Sequence, residues 1–286
     1  MAINRQDYEN IMDTASRRVP FWARSSNPIV RRHLGFNWRT VPPEIRPLLK
    51  AVLVWAGIFA VGAIFPPLQD FAVILVIAAI ILMPVIFLIY VRVLFNVAVI
   101  STDTMQEEMR NNTFSLLRAT PMTLEQIFLG KIAAAMWRYM DDLMLVAQAT
   151  VLLSPPILLV TYMAFWDLIT QPIMLRSMII VGLMVSLMRI VLEPVMIGLI
   201  AVFMGLVLPS RNLAVSAAVV VSSFYFIVIN VLAGLPDVWG YERIDEVIIP
   251  PDATLMALFH IVVPVVVPAI ISLILLRLCV NIVTSD

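Results

Sequence analysis

Little of this chain is charged, and almost none of it carries the patterns that do chemistry. Asp, Glu, Lys and Arg make up 13% of its 286 residues and cancel to a formal net charge of zero, which excludes the basic footprint of a nucleic-acid binder. Its one cysteine, Cys279, cannot form an internal disulfide and leaves the redox compartment open. Cys279 reads first as a small buried hydrophobe, with a metal or redox role as the alternative. No His-Glu-x-x-His metal pattern and no Gly-x-Ser-x-Gly elbow occurs. Gly130-Lys131 lacks the upstream glycine and the following Ser or Thr of a phosphate-binding loop, so ATP is not expected to bind this chain by that means. There is no row of intramembrane acids of the sort that relays protons. Catalysis is therefore not expected. Nor does Met1 to Lys50 contain the apolar core of a signal peptide.

What the chain does have is apolar surface. At 62% hydrophobic residues and a mean hydropathy of +0.98 it reads as an integral membrane protein, since a soluble domain is nearer half apolar. A helix needs about 20 consecutive apolar residues to cross the hydrocarbon core, and the sequence offers roughly six such runs. The runs are long and continuous, unlike the short alternating strands of a barrel, so an all-α membrane protein is expected. The expected spans lie near 48–65, 71–100, 143–166, 177–208, 213–235 and 255–282, with a tight connection at Pro66 to Asp70. Residues 1–47 form a separate polar segment, and 48–286 the transmembrane domain.

In the N-terminal segment, Arg17, Arg18, Arg24, Arg31, Arg32, Arg39 and Arg46 alternate with Phe21, Trp22, Phe36 and Trp38. That mixture suits a segment lying on an anionic leaflet, the alternative being a solvated tail. In the third span, Pro155-Pro156 should disturb the helix, as a hinge or as a static kink. In the fourth, Arg189 and Glu193 are four residues apart, a possible intramembrane functional pair or a self-satisfied one. Small residues Ser216, Ala217, Ala218, Ser222 and Ser223 in the fifth span suit close helix packing. Asp237, Glu242, Asp245, Glu246 and Asp252 make the next loop acidic, and His260 beyond it reads as an interfacial residue or a protonation switch. Most basic residues fall on the tail, the 101–138 stretch and the turn at Arg211, so the positive-inside rule puts these and both termini on the cytoplasmic side.

The stretch 101–138 is the longest polar-rich interval between apolar runs, and two helical patterns sit inside it. In the first, Met105, Met109, Asn112 and Leu116 share one face, with Glu107, Arg110 and Asn111 on another. Pro121 has no amide hydrogen and pushes Thr120 out of the helical region, which makes a joint. The second helix opens on Thr123-Leu124-Glu125-Gln126, a capping box. Its polarity fades through Ile127, Phe128, Ile132 and Ala133, which predicts a helix sliding along or into the bilayer surface.

Glu108, Thr113, Leu116-Leu117, Thr120-Pro121 and Gly130-Lys131 resemble the cytoplasmic segment of ABC-2 type transporter permeases, which reads Glu-x-Glu-x-Gly-Thr, then Leu-Leu-x-x-Thr-Pro, then Gly-Lys. Asn27-Pro28-Ile29-Val30-Arg31-Arg32 is similar to the start of that family's N-terminal interfacial helix. Arg110 stands where the family has its second Glu, Asn112 where it has Gly, and His33 where a Glu often follows. Asn tolerates the left-handed conformation better than most residues, so the backbone can survive that change. The resemblance implies a six-span, type V exporter-like permease in the plasma (inner) membrane, with a coupling helix between spans two and three. It implies cytosolic ABC ATPase subunits as partners, with ATP and Mg on those subunits and no cofactor here. It further implies a second permease copy or homologue, contact with membrane lipids, and export of a lipid, glycan or hydrophobic small molecule.

Glu107, Glu108, Arg110, Asn112, Thr113, Thr120 and Pro121 then belong to the surface that couples to the ATPase, with Leu116 and Leu117 anchoring it to the bundle. The alternative is an accessory or scaffold subunit that has the fold without pumping. A secondary transporter is a third reading, for which no internal repeat is visible.

Overall fold

The computed structural model describes residues 20–24, 26–34, 45–61, 67–163, 172–230, 243–244, 247–248 and 253–285. The basic and aromatic residues at 1–19 and 35–44 lie outside the described residues, as do Asp237, Glu242, Asp245, Glu246, Asp252 and the side chain of His260. What is described is helical, apart from two short strands, Arg243–Ile244 and Val247–Ile248, paired antiparallel. A 3-10 turn at Phe21–Ala23 precedes α1 (Pro28–Leu34), followed by α2 (Ile45–Val61), α3 (Pro67–Arg110), α4 (Phe114–Arg118) and α5 (Leu124–Arg138). The chain continues through α6 (Met140–Met163), α7 (Pro172–Val207), α8 (Arg211–Asn230) and α9 (Ala253–Ser285).

Five helices, α3 and α6 to α9, are long and apolar enough to cross a membrane, and the chain is an integral membrane protein on that ground. The first expected span is α2, but its 17 described residues fall short of a crossing, and 62–65 lie outside the described residues. The connection expected at Pro66 to Asp70 is not a loop throughout: α3 begins at Pro67, where a proline at the first helical position loses only an amide that has no partner there. Helix α3 then runs 44 residues without interruption, about 66 Å at 1.5 Å per residue, twice the thickness of the hydrocarbon core. Its far end must therefore stand clear of the lipid tails. The short separate helix expected from Met105 onward is in fact the end of this span.

Helix α7 is the centre of the bundle, with 61% of its most apolar window buried, against 17% for α3 and 11% for α9. It packs on α3, α6, α8, α9 and α5. Close approach is bought by small side chains: a Cβ on Gly198 would lie 2.5 Å from Ile132 Cγ2 of α5, so only glycine fits there. On α8 the buried small residues are Ala214, Ala218 and Ser222, one stripe at a spacing of four, while Ser216 and Ser223 are exposed. The expected disturbance at Pro155-Pro156 does not interrupt α6, which stays helical through both buried prolines. Just before them, Ser154 donates its hydroxyl to the Thr150 carbonyl at 2.6 Å.

Candidate functional site

The distinctive structure is an elbow where α3 leaves the bundle and α5 returns to it. Asn112 has φ 53°, and it stops α3 in a Schellman arrangement: its N–H donates to Met109 O at 3.3 Å, and Thr113 N–H to Glu108 O at 3.1 Å. Asn does here what glycine usually does. The five-residue α4 follows, with Phe114 and Leu117 turned inward, three residues apart on one face. Phe114 lies parallel to Phe128 of α5, ring centroids 6.0 Å apart. Thr120 closes the turn by donating its hydroxyl to Leu117 O at 2.7 Å. The predicted capping box then opens α5, Gln126 N–H donating to Thr123 Oγ1 and Thr123 N–H to Gln126 Oε1, each at 3.3 Å.

Helix α5, whose fading polarity implied a place along or in the bilayer surface, is enclosed by the rest of the chain. Ile127, Phe128, Lys131, Ile132, Ala133, Ala134, Ala135 and Trp137 are all buried, against α1 on one side and α3 and α7 on the other. Helix α1 is fixed at its start by Asn27, whose Oδ1 accepts from Ile29 N–H at 2.9 Å, with Pro28 in the first helical position. Trp137 Nε1–H donates to Ala23 O at 2.8 Å and Arg138 Nη2 to His33 O at 2.6 Å, which holds α1 and the turn before it onto α5.

At the centre of the elbow is a buried charge cluster. Glu108, 3% exposed, pairs with Lys131, 1% exposed, through its Oε2, and its Oε1 lies 3.3 Å from His33 Nε2. Lys131 also touches Met105 Sδ at 3.5 Å and sits over the Phe114 ring, 5.7 Å from its centroid. Burial pushes the Lys131 amine below the usual lysine value, and the Glu108 carboxylate offsets only part of that. One carboxylate thus joins α1, α3 and α5.

Of the residues expected to face a partner, Glu107, Arg110, Asn112, Thr120 and Pro121 are exposed and Thr113 is half-buried. Glu108 is not among them. It is one position, and about 100° of helix, round from Glu107, on the face of the fully buried Met105. Leu117 is buried in the bundle, whereas Leu116 is 70% exposed, because so short a helix turns a single stripe inward. Beside the exposed corner is a cavity of about 800 Å³, between the end of α3 and the turn joining α7 to α8. Gln106 Nε2 donates across to Gly205 O at 2.8 Å and Leu208 O at 2.6 Å, and Arg211 forms a two-pronged pair with Asp103 at 2.7 Å on each prong.

A second polar centre lies within the spans. Arg189 Nε and Nη2 donate to Glu193 Oε1 at 3.0 and 2.6 Å, as the four-residue spacing predicted. Tyr90 of α3 donates its hydroxyl to Glu193 Oε2 at 2.7 Å, and Tyr225 of α8 reaches Oε1 at 3.4 Å. No local signal announces either tyrosine, since each comes from a distant helix. Among the described residues no cluster of His, Cys, Asp and Glu is arranged to hold a metal, and Cys279 is buried among apolar residues. Comparison with protein-family models, with curated proteins and with solved structures finds no match to this chain.

Proposed function

We propose that this chain is the membrane-spanning permease subunit of an ATP-driven ABC-2 type transporter, exporting a lipid, glycan or hydrophobic small molecule. In this reading α2 completes a set of six spans, both termini are cytoplasmic, and the elbow faces the cytosol of the plasma (inner) membrane. Separate ATPase subunits hold ATP and Mg, dock on the exposed corner, and act on a permease paired with a second copy or homologue.

The observation that carries the reading is the construction of the elbow. A corner that presents Glu107, Arg110, Thr120 and Pro121 outward is tied inward through Glu108, Lys131, Phe114 and Leu117 to three helices at once. Force applied to such a corner moves the end of α3 and, through the Ile132 contact at Gly198, the central helix α7. A loop that merely linked two spans would not need a buried ion cluster. Arg110 also favours a second reading, an accessory or scaffold subunit, because it places a cation on the exposed corner where the resembled family has an acid.

Reversing Glu107 and Arg110 in the full chain, as Glu107→Lys with Arg110→Glu, tests the assignment. Both side chains are exposed, so the fold survives. The expected result is loss of the co-purifying ATPase and of ATP-dependent efflux. Retention of both would show that this corner is not the docking face, and co-purification with an assembly lacking any ATPase would favour the scaffold.

A further inference from the structure

A cavity of about 560 Å³ opens between α3, α6 and α7 at the level of the Arg189 and Glu193 pair, within the range of about 300–1,000 Å³ usual for small-molecule sites. Its walls are mostly apolar, with Ile80, Met83, Phe87 and Ile157 prominent beside the hydroxyl residues Thr150, Ser154 and Ser186, and its charged end is formed by Arg189 and Glu193 with Tyr90. Arg189 lies near the midpoint of the 36-residue α7, so this charged end sits deep in the spanning region. Ile80 and Phe87, at 62% and 42% exposed, place the rim on the outer surface of the bundle, where lipid tails lie.

The pair is neutral as a whole but lopsided toward the cavity. The Glu193 side chain is 0% exposed, sealed by Arg189 and by the Tyr90 and Tyr225 hydroxyls, while 24% of the Arg189 side chain remains accessible. Of the two members of the pair, the arginine is therefore the one an incoming molecule can reach. In a medium of low dielectric an accessible cation favours a negative head and repels a positive one. A free anion gains nothing from the apolar walls, whereas an alkyl chain does.

We propose that this cavity is a halfway site for a single-chain anionic amphiphile, with its head at the Arg189 guanidinium and its chain along Ile80, Met83 and Phe87. The assignment names the cargo class of the transport reading and rests on that reading for its purpose. Binding itself needs no ATPase.

The test uses the full chain in nanodiscs of zwitterionic lipid and two photoreactive probes with one alkyl chain in common, dodecyl phosphate and dodecyltrimethylammonium. Cross-linked peptides are mapped by mass spectrometry. The phosphate probe should label α3, α6 and α7 around the cavity about tenfold more strongly than the ammonium probe, the effect of one charge-assisted hydrogen bond. The double variant Arg189→Gln with Glu193→Gln should abolish that preference, and Ile80→Trp at the rim should lower labelling by both probes. Ile80→Trp leaves the ion pair intact, so it decides the matter if the double variant does not fold. Equal labelling by the two probes, an unchanged preference in the double variant, or unchanged labelling in Ile80→Trp would each overturn the site. Displacement of the probe by inorganic phosphate alone would also overturn it, by making it a site for soluble anions. Intact labelling with no ATPase recovered would sink the transport reading and leave the site standing.

Discussion

Replacing Lys131 by methionine removes the main countercharge of Glu108 with little change of shape. Glu108 and Lys131 have side chains 4% and 0% exposed, so the carboxylate that remains cannot turn to water. His33 Nε2 also lies 3.3 Å from the carboxylate. Breaking a buried pair by deleting one partner costs about 3–5 kcal/mol, whereas deleting one member of an exposed pair costs about 0–1 kcal/mol. Loss of the cation over the Phe114 ring adds about 0.5–2 kcal/mol. We therefore expect Lys131→Met to destabilise the protein by at least about 3 kcal/mol. The double variant Glu108→Gln with Lys131→Met should recover most of that, because it removes both charges. The assay is an unfolding titration in mixed micelles of the full chain, run for the wild type, both single variants and the double variant. A Lys131→Met loss within about 1 kcal/mol of the wild type would mean that water reaches the cluster. The claim that Glu108 braces the elbow, and is unavailable to a partner, would then be wrong.

Gly198→Ala should destabilise by about 1–3 kcal/mol, as overpacking does, and trimming the opposing side chain with Ile132→Ala should recover part of it in the same titration. Asn112→Gly should be neutral, while Asn112→Val should cost about 1–2 kcal/mol because a β-branched residue resists a φ of 53°. Tyr90→Phe deletes the 2.7 Å hydrogen bond to a buried carboxylate and should cost about 1.5–3 kcal/mol, readable as a lower unfolding midpoint.

Much of the elbow can be read from local chemistry. The capping box at Thr123 and Gln126, the joint at Pro121 and the tolerance of Asn112 for a left-handed backbone all depend on residues within one turn of each other, and all are present. Periodicity fails where tertiary packing chooses the face. Leu116 and Leu117 are equally apolar, and nothing in the chain says which of the two meets the bundle until Phe114 is seen stacked on Phe128. Likewise Glu107 and Glu108 are the same residue twice. Only the arrival of Lys131, from another helix, turns one of them inward. The Arg189 and Glu193 pair is legible because both partners share one helix, while Tyr90 lies about a hundred residues away and reaches the carboxylate through the fold alone.

Tyr90 and Glu108 are both on α3, five helical turns apart, roughly 27 Å, and five full turns bring them to the same face. The stretch between them holds neither proline nor glycine, so it behaves as a rod joining the elbow to the polar centre. In the transport reading this rod carries movement from the docking corner to the amphiphile site. Phe95 is 51% exposed and lies on the rod between its two anchors, so Phe95→Gly softens the helix, at about 1 kcal/mol, without touching either cluster. ATPase association and amphiphile labelling should then persist, while cargo moved per ATP hydrolysed falls. An unchanged ratio of transport to turnover, measured in proteoliposomes with the ATPase present, would show that α3 does not transmit the stroke and that the path between the two clusters runs elsewhere.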